Sequence, residues 1–322
     1  MKIKHILILL LALATLIIAC GAGPQKTSRR GARRSVTATM RKRGKATGRR
    51  TRAAKRRASR RKIKAAAKKQ KPSKEKGEAP VISNMVKAED KQYVAEKLKA
   101  SLQPAGVDQL MTLVDDYNSA AAPYLTADFS KKVAPTYDVG KITEAQSKKG
   151  MAYPNTNCRI TTYLLLKNDM NISDNTPVDG DLLFMDREAL TRSKLLNEKE
   201  MADFMRLFSR VKTGGSKNPA EQGKVMASFL SKMQFPKNAA MVSVVLHDNL
   251  DGNCLFIGHV GVLVKDGDGY LFVEKISFEE PYQAIKFKTK EACYRYLKNK
   301  FKDYTDPQVA PPFIMENNRY VG

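Results

Sequence analysis

The sequence contains little cysteine and histidine, and it lacks tryptophan. It has four cysteines, three histidines and no tryptophan in 322 residues. Neither a glycine-rich phosphate-binding loop nor the turn that presents a serine nucleophile is present, so a P-loop nucleotidase and a serine hydrolase of that type are not indicated. Few cysteines and histidines are therefore available as candidates for catalysis, and each can be judged by its place in the chain.

Long apolar segments are also missing. The one extended apolar run, from Ile6 to Ile18, is shorter than the ~20 residues that a transmembrane helix needs. It follows Lys2 and Lys4 and ends in Ile17-Ile18-Ala19-Cys20. A positive start, an apolar middle and a small residue near the end are typical of an export signal. We predict a signal peptide over residues 1–20.

The end of this segment resembles a bacterial lipobox, in which a cysteine is lipidated and becomes the N-terminus after cleavage. Ile17 and Ala19 match the usual pattern, and Ile18 is a tolerated variant. The resemblance implies that lipidated Cys20 holds the protein on the cell membrane or the outer membrane, outside the cytoplasm. Two acyl chains anchor a protein stably, since each buried methylene contributes ~0.8 kcal/mol. An uncleaved anchor and ordinary secretion are the alternatives.

Acidic and large apolar residues are scarce in residues 21–80. Between Pro24 and Glu78 the chain has 24 lysines and arginines but only two glutamates, and this stretch holds most of the net charge of +26. Such a composition cannot bury enough apolar surface to offset the entropy lost on ordering. We therefore predict a basic, disordered linker.

Three roles are open for this linker. It can be a solvated spacer, or it can bind anionic lipids or wall polymers, because a Lys or Arg near an anionic lipid surface contributes ~1 kcal/mol. The stretch TRAAKRRASRRKIKAAAKKQKPSK also resembles a histone-type tail that neutralises nucleic-acid phosphates. The linker lacks aromatic residues to stack on bases, and an exported protein does not meet intracellular DNA. Nucleic acid is therefore not predicted as a partner.

Ordinary hydrophobic periodicity begins at about Val81 and predicts one domain over residues 81–322. Helices are predicted at 84–101, 106–121, from Cys158 onward, within 186–211 and 218–233, and at about 289–302. The segments AAMVSVVLHD, CLFIGHVGVLV and YLFVEKIS, separated by Asp-Gly pairs, predict a meander of three antiparallel strands. Helices followed by an antiparallel sheet indicate an α+β fold.

The hairpin between the second and third of these strands determines which side chains face each other. If Asp266-Gly267 forms its two-residue turn, His259 faces Glu274; if Asp268-Gly269 forms it, His259 faces Phe278. We favour the first register, in which the two β-carbons are ~5 Å apart. The carboxylate can then orient the imidazole, whose other nitrogen is free to accept a proton from a thiol.

Cys158 is the thiol that fits this relation. In PNTNCRITTYLLL it opens a predicted helix, with Thr156 or Asn157 as N-cap. The helix macrodipole stabilises a thiolate at this end, and the free backbone N–H groups there can hold an oxyanion. Lipidation of Cys20 leaves three cysteines, so at least one has no intramolecular disulfide partner. The alternative is that Cys158 is a buried packing residue.

Other candidates are weaker. Cys254 lies five residues before His259 on one strand and is expected on the opposite face. Cys293 is expected to pack in a helix, and His247 is the alternative base. Cys158 and His259 alone provide too few ligands for a closed zinc site. We predict neither a metal nor a cofactor.

These residues resemble the papain-like cysteine hydrolases, and especially their NlpC/P60 branch, in which Asp-Cys at a helix start and His-Val-Gly-Ile on a strand recur. Asn157-Cys158 and His259-Val260-Gly261-Val262 stand at these positions. More narrowly, NCRITTYLLL, DLLFMD, GHVGVLV and LFVEKISFEEPYQAIKF, together with the lipobox, resemble a family of bacterial lipoproteins known as domain of unknown function 4300. That resemblance runs from about Val81 to Phe301.

The resemblance implies an α+β fold of the papain-like, NlpC/P60 type, with N-terminal helices packed on an antiparallel sheet. It assigns Cys158 as nucleophile, His259 as base and Glu274 as orienting residue. Further donors to the oxyanion are sought among Tyr153, Asn155 and Asn157. The implied activity is that of a thiol amidase or peptidase on cell-wall or other envelope peptides. The alternative is a non-catalytic binding lipoprotein whose basic linker holds anionic lipids or wall polymers.

The residues around the cysteine depart from the NlpC/P60 pattern. Peptidoglycan enzymes of that branch usually have Asp, Ser and Gly near the cysteine, where this chain has Asn157, Arg159 and Ile160. This departure leaves the substrate open more than it does the identity of the nucleophile.

Overall fold

The computed structural model describes residues 80–132, 135–173, 175 and 178–322. The predicted signal peptide with Cys20, and all but the last residue of the predicted linker, lie outside these residues. Among the helices described, none combines the length and the apolar character needed to cross a membrane.

Eight α-helices lie among the strands of the described part of the chain, seven before residue 239 and one after residue 287. They are α1 (Ala88–Lys99), α2 (Pro104–Ala121), α3 (Val139–Lys149), α4 (Cys158–Leu166), α5 (Phe184–Ser193), α6 (Glu198–Leu207), α7 (Pro219–Leu230) and α8 (Lys290–Lys300). Their ends follow local chemistry. Pro104 and Pro219 open α2 and α7, where a missing N–H is tolerated. Asn197 and Glu200 form a capping box at α6.

One antiparallel sheet of eight strands forms the centre. Its strands are β1 (Val81–Ser83), β3 (Val211–Lys212), β5 (Ala239–Asp248), β6 (Cys254–Asp266), β7 (Gly269–Lys275), β8 (Tyr282–Phe287), β9 (Phe313–Glu316) and β10 (Arg319–Tyr320). The order is β1-β8-β7-β6-β5-β9-β10, and β3 pairs with β6. A separate pair joins β2 (Asn171–Ile172) to β4 (Met233–Gln234).

Both faces of the sheet are covered, which explains why its central strands are apolar almost throughout. On one face, residues such as Val245, Val260 and Val262 join the core built by α1, α2 and α4. On the other face, Val244 and Leu263 pack in a second core against α8. The α+β prediction and the β5-β6-β7 meander are confirmed. Strands β1, β3, β8, β9 and β10 of this sheet were not predicted from the sequence, because they are short or carry polar residues between apolar ones.

The register predicted for the β6–β7 hairpin is wrong. Asp266 pairs with Gly269, so the turn residues are Gly267 and Asp268. Gly267 takes the left-handed conformation, φ 57°, that the first central position of a type II′ turn requires. Asp266 stays in the strand because its carboxylate is held from α1: the hydroxyl of Tyr93 donates to it, and Lys97 Nζ lies 3.2 Å from Oδ1.

The predicted orientation of Cys254 is also wrong. Cys254 pairs with Asp248 and His259 with Val244, but the register shifts by one residue near Gly258, between those two pairs. This β-bulge adds one residue to β6, so two positions of odd separation come to the same face. Cys254 and His259 therefore share a face, at different heights along the strand.

Candidate functional site

Cys158 is the first residue of α4, and the sequence around it fixes that position. The side-chain oxygen of Asn157 accepts the N–H of Ile160 at 3.0 Å and caps the helix. The helix packs across β6 and β7. Cys158 is 6% exposed and belongs to the core on the α1 and α2 face. The thiol therefore sits at a helix N-terminus, as predicted, in largely buried surroundings.

His259 and Glu274 meet where the hydrogen-bonded ladder between β6 and β7 ends. The last pair of that ladder is Val262–Val273. One residue further along each strand, Gly261 comes opposite Glu274, which makes His259 the diagonal neighbour of this carboxylate. Nε2 of His259 and Oε2 of Glu274 are hydrogen bonded, and the residues are 2% and 0% exposed. The contact is present, although the register that predicted it is wrong.

Gly261 allows the two strands to approach at this point. A Cβ atom there would lie 2.5 Å from Cζ of Phe272 and 2.7 Å from the carbonyl oxygen of Val273. A larger residue would push β7 away from β6, and with it Glu274 away from His259. In the sequence, Gly261 is recognisable only as part of the His-Val-Gly-Val motif, which does not indicate this steric role.

The thiol and the imidazole change each other's proton affinity. Burial alone raises the pKa of the Cys158 thiol, but the charge of His259, a side-chain hydrogen bond with that ring and the charge of Arg159 outweigh it and lower the pKa below its ordinary value. Burial lowers the pKa of His259, yet the charges of Glu274 and Cys158 and hydrogen bonds with both raise it to about 8. Both shifts favour a thiolate–imidazolium pair. Because Nε2 contacts Glu274, Nδ1 is the nitrogen left for the thiol.

Glu274 is held by more partners than the sequence indicated. Its Oε1 accepts from Gln283 Nε2 at 2.5 Å, from the Tyr296 hydroxyl at 3.1 Å and from Lys300 Nζ at 3.3 Å. Burial raises the pKa of this carboxyl, but the charges of Lys300 and His259 outweigh burial and lower it well below the ordinary range. Glu274 therefore stays ionised although no part of it reaches solvent. The four-residue spacing of Tyr296 and Lys300 was the available signal, since it places both on one face of α8.

The ring of His259 is covered on one side. The Phe301 ring, just after α8, lies 5.2 Å from it between centroids at an interplanar angle of 31°, and the Tyr304 ring lies 5.4 Å from Phe301. Tyr304 is exposed, whereas the imidazole is not. These two aromatic rings separate His259 from solvent on the α8 side.

The three residues considered as oxyanion donors are placed differently. The side chain of Asn157 is already engaged by Ile160 and by Asp186, to which its Nδ2 donates at 2.7 Å. Asn155 is exposed in the turn before α4 and has φ 61°. Tyr153 is half-buried, and its backbone N–H donates to Asp116. The first backbone N–H groups of α4 have no partner within the helix, so they are better placed than the Asn157 side chain.

A buried lysine beside the site, Lys275, was not predicted from the sequence. Lys275 is 1% exposed, and its ammonium lies 4.2 Å and 5.0 Å from the ring centroids of Tyr117 and Tyr282. It donates to three backbone carbonyls, those of Ser277, Phe278 and Glu280. Burial lowers the pKa of this amine to about 7. Lys275 thus fixes the loop 276–281 next to Glu274.

The remaining thiols and the second histidine have structural surroundings. Cys254 and Cys293 are buried and free of disulfides, and burial raises the pKa of the Cys293 thiol well above its ordinary value. In His247, Nε2 contacts Asn253 Oδ1 at 3.2 Å and Nδ1 accepts the N–H of Ala310 at 3.1 Å. Both ring nitrogens of His247 are occupied, so His259 is the better candidate base. In the part of the chain that the structure describes, His, Cys, Asp and Glu side chains form no group of three suited to a metal ion.

Comparison with known proteins gives a family and no function. No curated protein and no solved structure matches the chain. The sequence profile of the family described as domain of unknown function DUF4300 matches residues 81–321, which include every residue of the site. The chain therefore belongs to the DUF4300 family.

Proposed function

We propose that residues 81–322 form a thiol hydrolase that cleaves an amide bond in a peptide-like substrate. The observation that carries this proposal is the set of Cys158, His259 and Glu274: the imidazole is hydrogen bonded to a buried carboxylate, and its charge lowers the pKa of the thiol at the start of α4. Nucleophile, base and orienting acid in this relation are recognised by geometry and role and occur on unrelated folds.

The proposed reaction has two steps. The Cys158 thiolate attacks the amide carbonyl carbon, and the imidazolium of His259 gives its proton to the departing amine, which leaves a thioester on Cys158. Neutral His259 then takes a proton from water, whose hydroxide replaces the sulfur and releases the carboxylic acid. The backbone N–H groups at the start of α4 would hold the negative oxygen in both steps. Glu274 keeps the imidazole oriented and supports its charge.

The same geometry supports a papain-like fold of the NlpC/P60 type as part of the proposal. A cysteine that opens a helix packed across the sheet, and a histidine on a central strand beside an acidic residue, are the elements that those hydrolases share with this chain. Cell-wall or other envelope peptides are the substrates that this resemblance favours. Replacement of water by an amine would turn the same site into an acyl transferase.

Selective alkylation tests whether the thiol is activated. At pH 7 we expect iodoacetamide to modify Cys158 roughly tenfold faster, or more, than Cys254 and Cys293, because a depressed thiol pKa increases the fraction of thiolate. The rates are measured by mass spectrometry of peptides from the folded domain. His259→Ala should slow the reaction at Cys158, whereas His247→Ala, which removes an imidazole outside the site, should not.

Equal and slow labelling of the three cysteines would contradict the hydrolase proposal. The domain would then be better explained as a non-catalytic binding module on the cell envelope, which is the second candidate function.

Membrane attachment is the other part of the proposal, and it depends on residues outside those described. Cys20→Ser should move most of the protein from the membrane fraction to the soluble fraction, because the acyl chains are lost. Any residual binding of this variant to anionic vesicles should fall steeply between low and high salt if the basic linker contacts the lipid. Fractionation with immunoblotting and vesicle co-sedimentation measure the two effects. An unchanged membrane fraction would exclude lipidation at Cys20 as the main anchor.

A further inference from the structure

We infer that Asp186 and Arg159 are positioning residues that set the separation between Cys158 and His259. This inference rests on the proposed function, since it concerns how the same site is held together. The sequence patterns indicated no role for either residue. Asp186 is the last residue of DLLFMD, and Arg159 was noted only as a departure from the NlpC/P60 pattern.

The first observation is the set of donors around Asp186. This carboxylate is fully buried in α5. Oδ1 accepts from Asn157 Nδ2 at 2.7 Å and from Arg159 Nε at 2.9 Å, and Oδ2 accepts from Arg159 Nη2 at 2.7 Å. The donors come from the residues immediately before and after Cys158. One carboxylate thus fixes both neighbours of the proposed nucleophile.

Asp186 also determines which way the Asn157 amide points. Because Nδ2 donates to Asp186, Oδ1 is turned toward the N–H of Ile160 and caps α4. If the amide flipped, its NH2 group would face another N–H, and its oxygen would face a carboxylate. Without the acid the cap loses this preference, and the first turn that carries Cys158 is less well fixed.

The guanidinium connects this helix start to the strand that carries His259. Arg159 Nη1 donates to the carbonyl oxygen of Ile257 at 3.3 Å, next to the β-bulge that directly precedes His259. Arg159 therefore contacts both sides of the site, α5 through Asp186 and β6 through Ile257. The planar fork of arginine suits this arrangement, whereas the single ammonium of lysine cannot reproduce it.

A purely packing role is a poor explanation for this group. Breaking a buried ion pair is unfavourable, but an apolar replacement of both partners is often neutral or stabilising, so such pairs are weak evidence for stability alone. Here the pair links the two elements that must present a thiol and an imidazole to each other. Its charges oppose each other at the thiol: Arg159 lowers the pKa of Cys158 and Asp186 raises it.

Because the two charges have opposite effects on the pKa of Cys158, the direction of a pH shift distinguishes a positioning role of Asp186 from an effect of its charge. The measurement is the pH dependence of Cys158 alkylation by iodoacetamide in the folded protein. If Asp186 acted only through its charge, Asp186→Asn would move the acidic limb of the profile to lower pH. We expect the opposite, a shift of the acidic limb to higher pH by about one unit, because the thiol loses its imidazolium partner. At a pH below the thiol pKa, such a shift lowers the thiolate fraction roughly tenfold.

Arg159→Lys is the second variant, because it keeps the charge and removes the fork. Positioning predicts a shift to higher pH here too, and a charge effect predicts none. Glu316→Gln is the matched control: Glu316 is a buried carboxylate with the cationic partners Lys290 and Arg319, outside the site. Thermal unfolding checks that each variant is folded at the assay temperature.

Two results would overturn the inference: an acidic limb that stays in place or moves down in Asp186→Asn, or an Arg159→Lys profile equal to that of wild type. A wild-type protein without selective reactivity at Cys158 would instead refute the proposed function itself. The two failures are therefore distinguishable within one set of measurements.

Discussion

Cys158→Ala is expected to abolish amide hydrolysis by the domain and leave its fold intact. Loss of a nucleophile that works with a base lowers turnover by roughly 10⁴-fold or more, because the remaining groups cannot form the covalent intermediate. The change removes one buried sulfur atom, so the free energy of unfolding should fall by only about 1 kcal/mol. The assay incubates the folded protein with muropeptide and peptide libraries and follows the release of new amines by mass spectrometry.

Two controls make this result specific. Cys254→Ala and Cys293→Ala remove thiols of similar burial and should retain full activity. A substrate that is cleaved equally fast by wild type and Cys158→Ala would show that the reaction does not use this thiol. Wild type could react selectively with iodoacetamide at Cys158 and yet cleave nothing in the library. That result would direct attention to other acyl donors, such as esters, or to acyl transfer.

Glu274→Gln is expected to have the second-largest effect, on both activity and stability. The carboxylate is the charge that supports the imidazolium of His259. Its loss lowers the pKa of His259, so the alkaline limb of hydrolysis should move from about pH 8 toward the ordinary imidazole value near 6.5. The thiolate then loses its partner, and the acidic limb should move to higher pH. The pH range of activity therefore narrows from both sides.

The effect of Glu274→Gln on the free energy of unfolding depends on pH in a defined direction. Breaking a buried ionic group by removing one partner costs about 3–5 kcal/mol, and the amide of glutamine recovers part of this through its remaining hydrogen bonds. A carboxylate whose pKa is lowered by folding stabilises the protein above its unfolded-state pKa and loses that contribution as the pH falls through its folded-state pKa. The difference between wild type and Glu274→Gln should therefore shrink in acid.

Urea denaturation at neutral and acidic pH measures this difference. Gln283→Glu is an informative companion, because it places a second acid next to Glu274 where an amide now donates to Oε1. It should raise the pKa of the pair and destabilise the protein at neutral pH. If Glu274→Gln left both limbs of the pH profile unchanged, the role of Glu274 as the orienting acid would be wrong.

Much of the local structure could be predicted from short segments of the sequence. Helix α4 begins at Cys158 because Asn157 caps it, and both residues are adjacent in the sequence. The strands of the meander were recognisable from their β-branched and aromatic residues, and the concentration of basic residues before Val81 was visible from composition. The short strand β9 pairs with β5, which lies far away in the chain, so no local pattern predicted it.

The sequence by itself determined the α+β class, the helix start that carries the thiol, and the strand that carries the imidazole. Local hydrogen bonding and hydrophobic periodicity are properties of neighbouring residues, which is why these features could be predicted. Only the tertiary structure decided that Asp266 belongs to the strand and not to the turn, because Tyr93 and Lys97 hold it from a distant helix.

Tertiary structure likewise assembled the partners of Glu274 from β8 and α8, and brought Asp186 against both neighbours of Cys158. These contacts join residues far apart in the chain, and their free energy depends on packing and burial that no short segment encodes.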